Sequence, residues 1–301
     1  MKTRRWMFMV AAVISFIAAA ETRMNAANFA TLGNATNFVL LSTGGSVILG
    51  STDVDNVLVT GGEVGGQLVN LVGNTNIQND AISAKLNANP AIRLANTATV
   101  TGECVTDSGL ISLLTPSNTC GSYDATGTNA LLTLYANAVK DVTNFSAFVA
   151  NQTPNQAPGD VIIATGGSGT ITTSVPGGLT VVVINDLEVG ATGGNGTLTI
   201  SGGPNDRILF NIFGSVFMYN NSAILLSGGI TANNVVFNVV CTGASVEGSG
   251  TVIYNGTIVA LGRRCDLGNS ITVNGAVICG ADISDGGGTS TINYLPATGV
   301  F

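Results

Sequence analysis

The sequence predicts a mainly β protein, a right-handed β-solenoid (β-helix) with one long α-helix packed alongside. Three observations carry this. After Gly159 the chain is a run of short apolar segments, each ended by glycine, asparagine, serine or aspartate, the pattern of strands and turns. Asparagine recurs there behind an apolar residue, at Asn185, Asn211, Asn238, Asn255, Asn274 and Asn293, at spacings of 26, 27, 17, 19 and 19 residues. The last intervals are short for propeller blades of about 40 residues and suit one solenoid coil of two or three strands. One stretch alone changes period: over 128–151, Leu131, Tyr135, Ala138, Val142, Phe145 and Val149 share one face of about six helical turns. A β-sandwich with Asn in its turns is the competing architecture, but six recurrences at rung-like spacing favour a coil.

The elements follow in order. Residues 1–20 read as a secretory signal peptide: Lys2, Arg4 and Arg5 precede an apolar run from Trp6 to Ile17 and the small residues Ala18, Ala19 and Ala20. Residues 21–301 are expected to form a single solenoid domain. Within it, 37–75 alternates apolar and small or polar residues in runs such as "SVILG" and "NVLVTGG", which read as strands. The segment 76–127 reads as a loop region in which Asp80 caps a short helix through Leu86 and Pro90 stops it. The helix over 128–151 ends just before Pro154, and its apolar stripe needs a flat partner such as a sheet face. Residues 159–294 are the C-terminal coils, where stacked asparagines would bond above and below and paired glycines would turn the corners.

Composition removes several chemistries. The chain has no histidine, which excludes His-based triads and the usual zinc sites. Ten basic against 17 acidic residues leave no Lys/Arg stripe for nucleic acid. No run after the leader approaches the ~18 apolar residues of a membrane span. Five cysteines agree with export: Cys104 and Cys120 suit a local disulfide, and Cys241, Cys265 and Cys279 leave one thiol over. No C-x-x-C spacing points to a metal. Asn-x-Ser/Thr acceptors at Asn34, Asn144, Asn151, Asn195, Asn220 and Asn255 matter only in a eukaryotic secretory pathway.

Glycan cleavage needs converging carboxylates or a Ca²⁺ site, and the acidic residues here are scattered. Asp53 and Asp55 share a strand face but Val57 occupies the next alternate position. Asp186 and Glu188 alternate as on the wet side of a half-buried strand. Asp282 and Asp285 read as a solvated glycine-rich corner, and Arg263 and Arg264 as a turn pairing locally with Asp266. No catalytic residue, cofactor or metal is expected. A strand-rich chain also exposes threonine, at Thr170, Thr172, Thr173, Thr197, Thr199, Thr251, Thr257, Thr272 and Thr291. In register on a flat side, their methyls and hydroxyls would order water.

The run "LTISGGPNDRILFNIFGSVFMYNNSAILLSGGITANNVVFNVV" (198–240), followed by "YNGTIVALG", "VNGAVICG" and "INY", resembles the bacterial choice-of-anchor A family. The plan resembles, more distantly, the ice-binding-like (DUF3494) β-solenoids, in which a long helix lies along a coil of triangular section. The resemblance covers about Leu179 to Tyr294, with "STDVDNVLVTGGEVGG" a short matching stretch before it. It implies a non-catalytic extracellular protein, a surface or adhesive module in the first family and an ice binder in the second. Choice-of-anchor proteins usually end in an anchor; here "LPATG" is followed only by Val300 and Phe301, and is read as coincidence.

The expectation is therefore a secreted, non-enzymatic, surface-associated adhesive or structural module. Ice binding through a Thr-rich face is second and a polysaccharide-degrading β-helix a distant third. Expected partners are an extracellular surface, matrix or ice.

Overall fold

The computed structural model describes residues 30–52, 55–86, 88–297 and 299–301. The expected leader and Asp53 lie outside the described residues. Among the described residues twenty-five strands form one continuous sheet, every pairing of which is parallel, and it coils into a solenoid.

Each coil turns through three faces, A, B and C. In one coil Arg207–Ile212 lies on face A, Val216–Met218 on face B and Ser222–Ser227 on face C. The next coil sets Val235–Val239, Val246–Gly248 and the start of Val252–Ala260 on those three in register. The period of two explains the core: in Thr197–Ser201, Leu198 and Ile200 point inward and are buried while the alternate residues face out. Strict register stacks like on like, so Phe210 and Phe237 lie 4.9 Å apart with rings tilted by 8°.

The chain enters this solenoid in its middle. Phe38–Ser42, Ser46–Leu49 and Asn56–Thr60 stack on Ile271–Cys279, Ile283–Ser284 and Thr289–Tyr294, the coil formed last. From there the chain winds to one end at Ile111–Leu113 and Thr119–Asp124. Helix α1 (Ala130–Val149) then returns it along face A, and Gln156–Ala164 and Ser168–Thr172 begin the opposite end. Twenty residues of helix span about 30 Å, or about six rungs.

Asn129 caps α1, its Oδ1 accepting from Leu131 N at 2.8 Å. The helix buries Tyr135, Ala138, Val142, Phe145 and Val149 against outward residues of face A that include Leu41, Ile82, Leu209, Val236 and Ile278. The Tyr135 hydroxyl donates to Ser42 O at 2.7 Å. The C-terminal segment closes this layer: Phe301 is buried edge-on to Phe145 at 6.2 Å, and its N–H donates to Ala30 O. Ala297, within the LPATG sequence, is likewise buried.

One expectation fails outright. The segment 76–127 is not a loop with a helix near Asp80 but further coils: Ala81–Ser83, Ile92–Leu94, Thr99–Thr106, Ile111–Leu113 and Thr119–Asp124. Strands of three residues carry too little alternation to read, and Asp80 caps no helix; its Oδ1 accepts from Glu103 N at 2.6 Å, joining neighbouring rungs. Cys104–Cys120 and Cys265–Cys279 are disulfides joining adjacent coils, and Cys241 is free and half-buried.

Candidate functional site

Face C, unlike face A, is not covered by α1. Its central outward column runs Ser168, Thr197, Ala223, Ile253, Thr272, Thr291, Leu58, Asn76, Thr99 and Thr119, one residue per rung across ten rungs. Beside it run Thr170, Thr199 and Leu225, then Asn255, Asn274, Asn293 and Thr60. On the other side, Thr289, Asn56 and Asn74 are in register. None of these residues carries a charge. Rungs about 4.8 Å apart and same-face neighbours about 6.7 Å apart along each strand make a flat two-dimensional grid.

The chemistry divides across the grid. The amides bond to one another: Asn274 Nδ2 donates to Asn255 Oδ1 at 2.9 Å and Asn293 Nδ2 to Asn274 Oδ1 at 2.8 Å. Asn255 Nδ2 donates to Ile224 O, and Thr60 Oγ1 reaches Asn293 Oδ1 at 3.4 Å. This ladder fixes the edge of the face, and Gly256 and Gly275, both at positive φ, turn the chain onto face A behind it. The hydroxyls of Thr197, Thr199, Thr272, Thr291 and Thr99 are not used in this way and face solvent beside the exposed Leu58 and Leu225.

The structure sorts the residues singled out from sequence. Thr170, Thr172, Thr197, Thr199, Thr272 and Thr291 lie on face C. Thr257 does not: it is fully buried on face A, and its Oγ1 accepts from Ala297 N at 2.8 Å. Thr251 sits on the turn before the face, its N–H donating to Asn220 Oδ1. Thr173 is also off the array, its hydroxyl donating to Asp206. The six asparagines are not one row. Asn255, Asn274 and Asn293 form the ladder at the edge of face C. Asn211 and Asn238 are buried beneath α1, with Asn238 Nδ2 donating to Asn211 Oδ1 at 2.9 Å, Asn211 Nδ2 to Val149 O at 2.7 Å and Ser146 Oγ to Asn238 Oδ1 at 2.7 Å. Asn185 is exposed at the corner between faces A and B.

The acids do not converge. Burial would raise the Asp55 carboxyl, but N–H donors from Gly288, Ser51 and Thr52 hold it well below the usual carboxylate range. Asp186 Oδ1 accepts from Ser215 N, and Glu188 points out on face B. Asp285 is not solvated as expected; it turns inward, and burial, with the nearby charges of Asp55 and Asp266, pushes it to about 6 against the donors Ser290 and Gly287. Asp282 Oδ1 accepts from Ser46 N at 2.7 Å. Arg264 pairs with Asp266 at 2.7 Å, whereas Arg263 is buried and donates to the carbonyls of Cys241 and Ala244. Among the described residues no group of three or more acids or thiols is placed to hold a metal, and no helix is long and apolar enough to cross a membrane.

Sequence reasoning missed Leu58, Asn56, Asn74, Asn76, Thr99 and Thr119. They join the array only because the N-terminal coils stack on the C-terminal ones, a register that no local pattern announces.

A solved ice-binding protein from the Antarctic ascomycete Antarctomyces psychrotrophicus superimposes with a TM-score of 0.51 at 15% identity, covering 89% of this chain and 98% of that one. The chain shares the fold of that protein. The DUF3494 domain of Shewanella frigidimarina ice-binding protein 1 matches at 19% identity and TM-score 0.49 over 90% and 98% of the two chains. An ice-binding protein from an Arctic yeast matches at 15% and 0.49 over 89% and 94%. No protein-family model and no curated protein matches the chain.

Proposed function

We propose that the protein binds ice through face C, as an exported protein whose threonine hydroxyls and exposed methyls order a sheet of water matched to the crystal. The observation that carries this reading is the outward array itself: ten rungs in register, uncharged throughout, with hydroxyls facing solvent. Charged groups hold water in shells oriented by their own fields, and a surface without them leaves water free to adopt a lattice. Face B differs, with Glu188, Glu247 and Asp266 in its central column. The ice-binding proteins that share the fold support ice over the adhesive role that the choice-of-anchor resemblance implied.

Thermal hysteresis tests this. The full chain is expected to hold seed crystals below the melting point and to shape them. Thr272→Tyr and Thr291→Tyr, which raise bulk in the middle of face C, abolish the effect while the melting temperature of the protein stays unchanged. A wild-type protein without hysteresis or ice shaping overturns the proposal, as does full activity in both variants.

A further inference from the structure

Face B carries a second pattern. Its central outward column runs Ile162, Glu188, Phe217, Glu247, Asp266, Ser284, Ile48, Asn70, Arg93 and Ser112, again one residue per rung. The charges are segregated along the axis, with acids on the second, fourth and fifth rungs and Arg93 on the ninth. Asp266 is already paired with Arg264, but Glu188 is in no salt bridge among the described residues, and Arg93 bonds only the side-chain oxygen of Asn70 at 2.9 Å. Unmatched charge of opposite sign thus sits near opposite ends of one face.

We infer that face B is a homodimer interface in which a second copy packs face to face with its solenoid axis antiparallel. A two-fold axis between the fifth and sixth rungs sets each rung opposite its mirror in the count. Glu188 on the second rung then meets Arg93 of the other copy on the ninth, and the symmetry makes that contact twice. Phe217 meets Asn70, Glu247 meets Ile48, and no two like charges of the column are opposed. A parallel arrangement would place Glu188 against Glu188 and Arg93 against Arg93. Charge complementarity therefore selects both the occupant and its direction.

The area is sufficient. Ten rungs about 4.8 Å apart span about 43 Å, and the face is about 15 Å from corner to corner, so each copy covers about 650 Å² and the pair about 1,300 Å², within the range of stable dimers. Apolar contact comes from Ile48, Leu68, Phe217 and Tyr219, the last two with ring centroids 4.3 Å apart. Face C is left uncovered in both copies.

Sedimentation velocity on the full chain, from micromolar to near-millimolar protein, reads the outcome. The wild type is expected to dimerise, with association weakened by salt. Glu188→Arg and Arg93→Glu each weaken the dimer at least about tenfold, and combining them restores it, since the pair is re-formed with its signs exchanged. Circular dichroism confirms the fold of each variant, and Glu188→Gln with Arg93→Gln give the same direction should a charge reversal fail to fold. A wild type that stays monomeric overturns the inference, as does a dimer indifferent to the single changes or not restored by the pair.

Discussion

Replacing Asn238 by alanine separates the two kinds of asparagine that look alike in the sequence. Asn238 is fully buried between face A and α1, where its amide donates to Asn211 Oδ1 and its carbonyl oxygen accepts from Ser146 Oγ. Alanine leaves Asn211 Oδ1 without its donor in a place water does not reach. Ser146 is half-buried and can recover a solvent partner. One orphaned buried acceptor costs about 1–3 kcal/mol, and the space of the lost amide adds to this, for a total of about 3 kcal/mol. For a chain of this size each kcal/mol lowers the midpoint by about 2–4 °C, so the melting temperature should fall by about 6–12 °C. Asn185, in the same apolar-Asn setting but exposed at a corner, should cost under about 0.5 kcal/mol on the same change. Thermal and urea unfolding followed by circular dichroism measure both. If Asn238→Ala costs less than about 1 kcal/mol, or no more than Asn185→Ala, the buried ladder does not fasten the helix to the sheet.

Three further outcomes follow from the geometry. Stability should be greatest in mildly acidic solution. Asp55, held below its ordinary value of 3.8, contributes stability that is lost as pH falls below about 4, whereas Asp285, raised to about 6, and Glu63, raised to about 7 by burial and the Asp80 charge, lose stability as pH rises from about 4 through those values. A melting series from pH 3 to 8 should peak at about pH 4–5, and Asp285→Asn should flatten its alkaline side; a midpoint rising steadily to pH 8 contradicts the assignment. The disulfides close loops of 16 and 14 residues, so removing either by paired Cys→Ser change should cost about 3 kcal/mol in urea midpoint analysis, with no loss pointing to thiols that are not bonded. Asn129→Ala removes the cap of α1 and two side-chain bonds from its amide to Glu103 and Asp124, and should lower stability by about 1–2 kcal/mol in the same assay.

The helix was legible because its stripe repeats over 20 residues, and tertiary structure needed only to supply the flat partner the stripe required. The coils after Gly159 were legible because Gly and Asn punctuate them at coil length. The coils between 76 and 127 were not, since strands such as Ala81–Ser83 are shorter than any periodicity that can be read. The threonines illustrate the remaining limit. Thr257 and Thr272 stand in similar apolar runs, yet the corner at Gly256 sends one beneath the C-terminal segment and leaves the other on the open face. Facing is decided at corners, by glycines whose turn shows only in the folded backbone. The array grows from six rungs to ten through a stacking of first coil on last that depends on α1 carrying the chain the whole way back.

The most direct measurement is the partition of fluorescently labelled protein into a slowly growing ice hemisphere, comparing wild type with Thr272→Tyr on face C and Glu247→Tyr on face B. Wild type and the face B variant should enter the ice and the face C variant should stay in the liquid, all three with the same circular dichroism spectrum. Exclusion of the wild type, or entry of the Thr272 variant with exclusion of the Glu247 variant, would contradict ice binding by face C.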